Sequence, residues 1–302
     1  MNITDPIFHD EAKAEEHIFR SRWPDGEPIC PHCESTNCMV MAGKTQAGYW
    51  LCRSCRDKFT VRTGTVMERS HIPLHKWLLA THLMAASKKG MSAKQMERML
   101  GVTYKTAWFL CHRIREAMDE ANKPNEPLGG PGKTVEADET FVGGFKHKRL
   151  SGKVAPKKIV LSLVDRSSGK ARSFHIANVD GSKLRGALVT NVDRASRLHT
   201  DGHAAYLNVG KEFASHGYTD HKIQYARGDV HSNTAENFFS ILKRGVIGVY
   251  HHWSQAHIHR YLAEFDMRYS TKDKSDTERA ADILRGMEGR RLTYRRISPL
   301  SA

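Results

Sequence analysis

Between residues 73 and 120 the apolar side chains return every three or four positions. Leu74, Trp77, Leu78, Leu83 and Ala86 trace one helical face, with His82 among them. Gly90 interrupts that face, and Ser92 offers an N-cap to the run ending at Leu100. A tight turn, Gly101-Val-Thr-Tyr104, leads into a third helix over 105–118. Beyond residue 133 the pattern turns to β-type runs at 134–142, 158–165 and 171–177. A short helix is predicted at about 181–191, a strand at about 196–200, and helices at 233–245 and 254–269. Strands first, then strand–helix alternation, predict an α/β sheet domain. The two patterned regions are separated by 121–132, a linker rich in Pro and Gly.

The ends of the chain carry less pattern. A polar helix is expected over 10–20, closed off by Pro24, Gly26 and Pro28. Residues 29–70 are rich in Cys, Gly and Thr, with Tyr49, Trp50 and Phe59 as the aromatics, and read as short strands around a metal. From about 271 the chain is polar and basic and is expected to form a tail.

Charge narrows the function. Among 302 residues, 47 Lys and Arg face 33 Asp and Glu, a formal net charge of +14. No apolar run of about 18 residues exists to span a bilayer, so a membrane partner is not expected. The N-terminus lacks the basic-then-apolar order of a signal peptide. A polyanion, nucleic acid above all, is the expected partner. Of the six cysteines, four fall into two Cys-x-x-Cys pairs. Without a secretory signal such pairs point to metal rather than disulfides, and to a reducing, cytoplasmic compartment.

Cys30-Pro-His-Cys33 and Cys52-Arg-Ser-Cys55 stand eighteen residues apart and supply four thiolates for one tetrahedral Zn²⁺. The module is too small to build its own core, so the metal is expected to supply much of its folding energy. Cys38 is off this pattern, His32 sits inside a knuckle, and Cys111 lies on a helix face as a core residue. With Lys44, Arg53, Arg56, Lys58 and Arg62 around them, the knuckles resemble a zinc ribbon. The helices at 93–118, joined by a short Gly-containing turn, match a helix-turn-helix. The second of them bears Lys105, His112, Arg113 and Arg115. In that geometry Tyr104, Lys105 and Thr106 face base edges, with Arg113 as a further DNA contact, while Trp108, Phe109, Leu110 and Ile114 pack.

Three carboxylates carry the candidate chemistry. Alternation along 134–142 puts Glu136, Asp138 and Thr140 on one sheet face and Val135, Ala137 and Glu139 on the other. Two acids on one face destabilise it unless a cation or partner compensates. Asp201 ends a β run just before Gly202. On the helix from 233, Asn233, Glu236, Ser240 and Lys243 share a face, while Phe238, Phe239, Ile241 and Leu242 are expected to bury. Carboxylates from two strands and a helix can meet and hold two divalent metals for in-line displacement at phosphorus.

These motifs together resemble a family. They are Glu136-Ala-Asp-Glu-Thr-Phe-Val-Gly-Gly144, His199-Thr-Asp-Gly-His203, and Asn233-Thr-Ala-Glu236 leading into Leu242-Lys-Arg-Gly245. His251-His-Trp-Ser254 and Tyr261-Leu-Ala-Glu-Phe265 extend the match. The chain, over roughly residues 28–270, is similar to the DDE transposases of bacterial insertion sequences that join an N-terminal zinc ribbon to an RNase H-like domain. The resemblance implies metal ligands at Asp138, Asp201 and Glu236, with Asp138 rather than Glu136 or Glu139 as the first. It implies two Mg²⁺ or Mn²⁺ ions per active site, bridged by Asp138. One activates water to cut the transposon end, and the freed 3′-hydroxyl then attacks target DNA. Lys243 would contact a phosphate, and Asn233 would orient Glu236 or a water. The basic segment after Gly143, with Lys146, Lys148 and Arg149, reads as a hairpin loop that clamps DNA.

The fold expected is therefore α+β and multidomain: an N-terminal helical segment (1–28), a zinc ribbon (29–70), a helix-turn-helix segment (71–120), the linker (121–132), an RNase H-like α/β catalytic domain (133–270) and a basic C-terminal tail (271–302). The expected partners are double-stranded DNA, as transposon ends and target, and further copies of the chain when bound to it. A bacterial, cytoplasmic, nucleoid-associated protein follows from the same resemblance. Two competitors share these features: a non-catalytic DNA-binding regulator derived from a transposase, and an RNase H-like nuclease or resolvase that cuts without joining.

Overall fold

Asp10 opens the first helix, α1 (Glu11–Arg22), by accepting from the backbone N–H groups of Ala12 and Lys13 at 2.9 and 3.1 Å. The computed structural model describes residues 2–119, 126–143, 157–219 and 227–293. They fold as two units, one built from Met1–Met118 and the chain from Lys274 onward, the other from Asp119–Asp273.

In the first unit, α1 is followed by a three-stranded antiparallel sheet, β1 (Cys38–Val40), β2 (Trp50–Cys52) and β3 (Lys58–Phe59). Aromatic rings form its core. Phe19 of α1 stacks on Trp50 at 5.3 Å, Trp50 stacks on Phe59 at 6.1 Å, and Trp23 meets both edge-on. Helix α2 (Leu74–Ala86) begins after Pro73, which has no side-chain cap to offer. Glu11 supplies one instead, accepting from the N–H groups of Leu74 and His75 at 2.8 and 3.1 Å. Helix α3 (Ala93–Leu100) is capped by Ser92 through the Gln95 N–H at 3.1 Å. It ends at Gly101, whose φ of 61° is left-handed and suits glycine. Helix α4 (Tyr104–Met118) packs back on α3, completing the expected helical pair.

The second unit is one five-stranded sheet with helices on both faces. Its elements are β4 (Thr134–Val142), β5 (Lys158–Asp165), β6 (Ala171–Ile176), α5 (Gly181–Asn191), β7 (Arg197–Asp201), α6 (Tyr206–Gly210), β8 (Ser215–Thr219), α7 (Asn233–Gly245) and α8 (Ile258–Ser270). The strand order is β6-β5-β4-β7-β8. The first three strands pair antiparallel, and β7 and β8 run parallel to β4. This mixed topology is RNase H-like. One face buries Val135, Ala137, Leu161 and Leu163 with Leu184 and Leu188 of α5 and Tyr206 of α6. The other buries Val142, Val160 and Val164 with Ala235, Phe238 and Leu242 of α7 and Phe265 of α8. Strand β8 has no counterpart in the sequence reading. Ser-His-Gly-Tyr-Thr has no apolar alternation, because an edge strand needs little burial.

The C-terminal segment departs from the expected basic tail. It forms α9 (Asp276–Arg285), opened by a capping box in which Ser275 and Glu278 cap each other's backbone. Ala280, Ile283 and Leu284 are buried, and α9 packs against α2, α1 and α4 of the first unit. Backbone bonds Val66 N–H to Met287 O and Gly289 N–H to Gly64 O tie the chain down beyond it. Four apolar residues among many charges were too sparse a stripe to read as a helix, yet they suffice against a large partner face.

Ile283 is 1% exposed at this contact. Ile283→Ala is expected to destabilise the first unit by about 2–5 kcal/mol. In a Trp253→Phe background the remaining tryptophans, Trp23, Trp50, Trp77 and Trp108, all report on that unit. A wild-type urea midpoint by their fluorescence would contradict the docking of α9.

Candidate functional site

The two knuckles bring their cysteines together. The sulfur atoms of Cys30, Cys33, Cys52 and Cys55 all lie within 4.8 Å of one another. Cys33–Cys52 and Cys30–Cys55 are 3.5 and 3.7 Å apart. Four thiolates at the Zn–S bond length around one tetrahedral ion sit about 3.8 Å apart, so the set fits Zn²⁺. The two turns are built alike. Glu34 and Arg56 take left-handed φ values of 59° and 64°. Each donates its N–H to the carbonyl of the first cysteine of its knuckle, Cys30 or Cys52, at 2.9 Å. The Cys52 thiol is drawn down to about 6, first by the backbone N–H of Cys55. Cys38 stands aside as a protonated thiol, pushed up to about 11 by burial, and donates to Ser35 O at 3.5 Å.

On α4, Tyr104 is 51% exposed and Lys105 is exposed, with the ammonium of Lys94 over the Tyr104 ring at 5.8 Å. Thr106 is half-buried and its hydroxyl bonds that of Thr103 at 2.9 Å. Arg113, expected to contact DNA, is turned into the unit instead. Its side chain is buried, its guanidinium donates to Glu68 O and lies 5.4 Å from the ring centroids of both Trp77 and Phe109. Burial lowers its pKa to about 10. The reason is helical phase: Arg113 falls on the face of α4 that carries Leu110, Ala117 and Ile114, so its charge is spent inside the unit. Lys146, Lys148 and Arg149 lie outside the described residues.

In the sheet unit, register sets the acidic site. Ala137 pairs with Thr200 across the parallel β4–β7 ladder, so the next residues, Asp138 and Asp201, are neighbours on one face. Glu236, in the first turns of α7, lines a cleft of about 570 Å³ with Asp138. Ser240, Lys243 and Arg244 continue the same wall, and Phe239 and Ile247 supply its apolar part. The expected helix face is thus real: Asn233, Glu236, Ser240 and Lys243 are all exposed while Phe238 and Leu242 are buried. Asp201 is half-buried and accepts the His203 N–H at 3.1 Å.

The electrostatics separate the acids. Asp138 is 9% exposed, and its pKa is pushed up to about 8, first by burial and then by the charge of Asp201, with Glu139 and Glu236 adding to it. Only the Glu139 N–H, at 2.7 Å, opposes this. Among the described residues Asp138 has no cationic side-chain partner. A buried carboxylate surrounded by like charge is the donor set that a hard divalent cation satisfies. The three carboxylates do not gather as tightly as the thiolates, which form the one such cluster among the described residues. Glu139 points to the opposite sheet face and accepts from the Tyr206 hydroxyl. Glu136, on the face of Asp138, is fully buried and bonded to Arg166 and to the start of α7. The sequence reading singled out neither Arg166 nor Tyr206, because each acts through a partner far away in the chain.

The matches to known proteins follow the same division. Residues 127–270 match the ISXO2-like transposase domain and residues 9–58 the transposase zinc-ribbon domain. The chain is 28% identical over 294 residues to an uncharacterized protein in transposable element ISH50 of Halobacterium salinarum, across 92% of this chain and 97% of that one. It is 25% identical over 199 residues to the male abnormal protein mab-31 of Caenorhabditis elegans, across 59% of this chain and 46% of that one. Among solved structures, the catalytic core domain of BIV integrase is similar with a TM-score of 0.30 and 13% identity, over 44% of this chain and 82% of that one.

Two outcomes test these sites. Freshly purified protein is expected to hold one zinc per chain by elemental analysis, and Cys52→Ser to lose it and unfold the first unit while the sheet unit stays folded. Absence of zinc would contradict the centre. Without divalent ions, folded Asp138 keeps its proton up to about pH 8, whereas the unfolded chain releases it near ~3.9. The folded state therefore binds the extra proton between those values, and the contribution of Asp138 to stability falls as pH rises from about 4 to about 8. Asp138→Asn is expected to flatten that fall in melting temperature against pH; parallel curves for variant and wild type would refute it.

Proposed function

Since the chain belongs to the transposases that join a zinc ribbon to an ISXO2-like DDE domain, we propose that it binds the ends of its own insertion sequence, cuts them, and joins the freed strands to target DNA. The observation that best supports this is Asp138. It is a buried carboxylate beside Asp201, in a cleft with Glu236 and, among the described residues, with no cationic side-chain partner. Asp138, Asp201 and Glu236 would hold two Mg²⁺ or Mn²⁺ ions, which when bound supply Lewis acidity at phosphorus and a lowered pKa for water.

The chain's own residues do the rest. Lys243 and Arg244 on the cleft wall hold phosphates of the DNA strand beside the acids. Phe239 and Ile247 narrow the wall and exclude water from the same cleft. Asn233 stands on the face of Glu236, where it orients a group bound there. Glu139 is held on the other sheet face by Tyr206 and takes no part. In the first unit, Tyr104 and Lys105 at the start of α4 are the contacts to base edges, with Thr106 behind them. Two ends cut and joined in one event require at least two copies of the chain on the DNA.

The test is a Mg²⁺- or Mn²⁺-dependent assay on labelled terminal DNA that scores cleavage and joining separately. Asp138→Asn, Asp201→Asn and Glu236→Gln are each expected to bring both to background while DNA binding persists, since each removes one charge and little volume. Lys243→Ala is expected to cost about tenfold to a hundredfold, the worth of one hydrogen bond to a charged group. Glu139→Gln should be far milder than Asp138→Asn. Three active triad variants would overturn the reading. Cleavage without any joining would reassign the protein to a nuclease.

A further inference from the structure

We propose that Glu136, held by Arg166, is a positioning residue that fixes the distance between Asp138 and Glu236. The proposal rests on the reading of Asp138 and Glu236 as metal ligands, and it concerns a carboxylate that is not one of them.

The side chain of Glu136 is 0% exposed. Its Oε2 accepts the backbone N–H groups of Thr234 and Ala235 at 2.8 and 2.9 Å. Its Oε1 accepts the Thr234 hydroxyl at 2.8 Å and the Arg166 Nε–H. The N-cap residue of helix α7, Ser232, makes no side-chain capping bond, and the Asn233 N–H goes to His231 Nδ1 at 3.3 Å, which leaves the next two N–H groups to be capped. The strand carboxylate fills that place, at the positive end of the helix dipole. Arg166 fastens the approach to the helix as well. It donates to Asp229 O and Oδ1 at 2.9 Å each, to His231 O at 2.9 Å and to His231 Nδ1 at 2.8 Å.

The consequence is geometric. Glu136 and Asp138 lie two residues apart on one face of β4, about 7 Å along the strand. Ala235, bonded to Glu136, is the residue next to Glu236. One carboxylate therefore ties the strand of the first acid to the helix turn of the third. The apolar side of α7, through Phe238, Phe239 and Leu242, already docks the helix on the sheet. Three hydrogen bonds from Thr234 and Ala235 to a single carboxylate then fix the height of the first turn. Displacements of about 1 Å at reacting groups cost about a hundredfold in rate. A buried Arg–carboxylate pair adds little stability over an apolar one, so its worth here is placement.

The experiment uses the full chain and Mn²⁺ alone, titrated without DNA and followed by the electron paramagnetic resonance of the free ion. Urea unfolding, DNA binding and strand cleavage are measured in parallel. Glu136→Gln keeps the shape but removes the charge. Thr234→Val removes one bond to Glu136 and stays clear of the apolar core, so it serves where the first variant fails to fold. Both are expected to bind DNA as wild type. Mn²⁺ affinity should fall about tenfold to a hundredfold in Glu136→Gln, the usual effect of losing a residue that orients metal ligands, and less in Thr234→Val. Cleavage should fall about a hundredfold in Glu136→Gln. A residue needed only for stability would shift the urea midpoint and leave Mn²⁺ affinity under native conditions unchanged. Wild-type Mn²⁺ affinity in both variants, with affinity lost in Asp138→Asn, would overturn the positioning role alone. Wild-type affinity in Asp138→Asn would overturn the metal site on which it rests.

Discussion

Like charges close together in a half-dry site repel, and the sheet unit must hold Asp138 against that repulsion. Burial, Asp201 and Glu236 all disfavour its ionised form, which is why its pKa rises to about 8. Two residues away on the same face, Glu136 is buried more deeply and yet fully compensated, by a guanidinium, two backbone N–H groups and a hydroxyl. The fold thus treats two acids of one strand in opposite ways. One is satisfied from within and serves as structure. The other is left to be satisfied from outside. The parallel β4–β7 register places Asp138 beside Asp201, and the Arg166 contacts hold Glu136 to the start of α7, so the two roles stay apart.

The same device recurs in the first unit. Helix α2 starts at a proline with no cap, and Glu11 of α1 lends its carboxylate to the Leu74 and His75 N–H groups. A borrowed cap does more than a local one, because it fixes one element against another. Glu11 also meets Arg62, whose guanidinium donates to Ser70 O and Ile72 O at 3.2 and 2.7 Å on the approach to α2. In both units an arginine thus secures the segment before the helix while a carboxylate secures its first turn. Helices α1, α3, α5 and α9 are capped locally instead, by Asp10, Ser92, Asp180 and Ser275.

This distinction governs what the sequence disclosed. Strand β4 alternates, β5 is apolar almost throughout, and both are buried on both faces, so their limits were legible from pattern, as was the exposed Asn233-to-Lys243 stripe on α7. The cysteine knuckles were legible from spacing because tetrahedral thiolate geometry admits few spacings. Position in the chain said nothing of Arg166, which meets Glu136 thirty residues away and His231 sixty-five away. Nor did it reveal α9, whose stripe of Ala280, Ile283 and Leu284 gains meaning only beside α2. Local rules reveal local satisfaction. Contacts between distant segments leave no periodic trace.

Arg113 carries that argument to the basic charge itself. A net charge of +14 counts every guanidinium equally. Arg62, Arg113 and Arg166 each spend their donors on backbone carbonyls or buried carboxylates of the protein. They raise the field around the molecule, which acts over about a Debye length, but the guanidinium bonds they make are to the protein itself. Under the proposed function, direct DNA contact would fall to cations whose heads stand in solvent, such as Lys105 on α4 and Lys243 and Arg244 beside the acids. The last two lie on the cleft wall shared by Asp138 and Glu236, so the same cleft holds both the acids and the cations that would draw a phosphate in. On the proposed reading, a divalent cation held by the acids would offset their repulsion of a phosphate, so that substrate and metal would be coupled by charge before any contact between them is made.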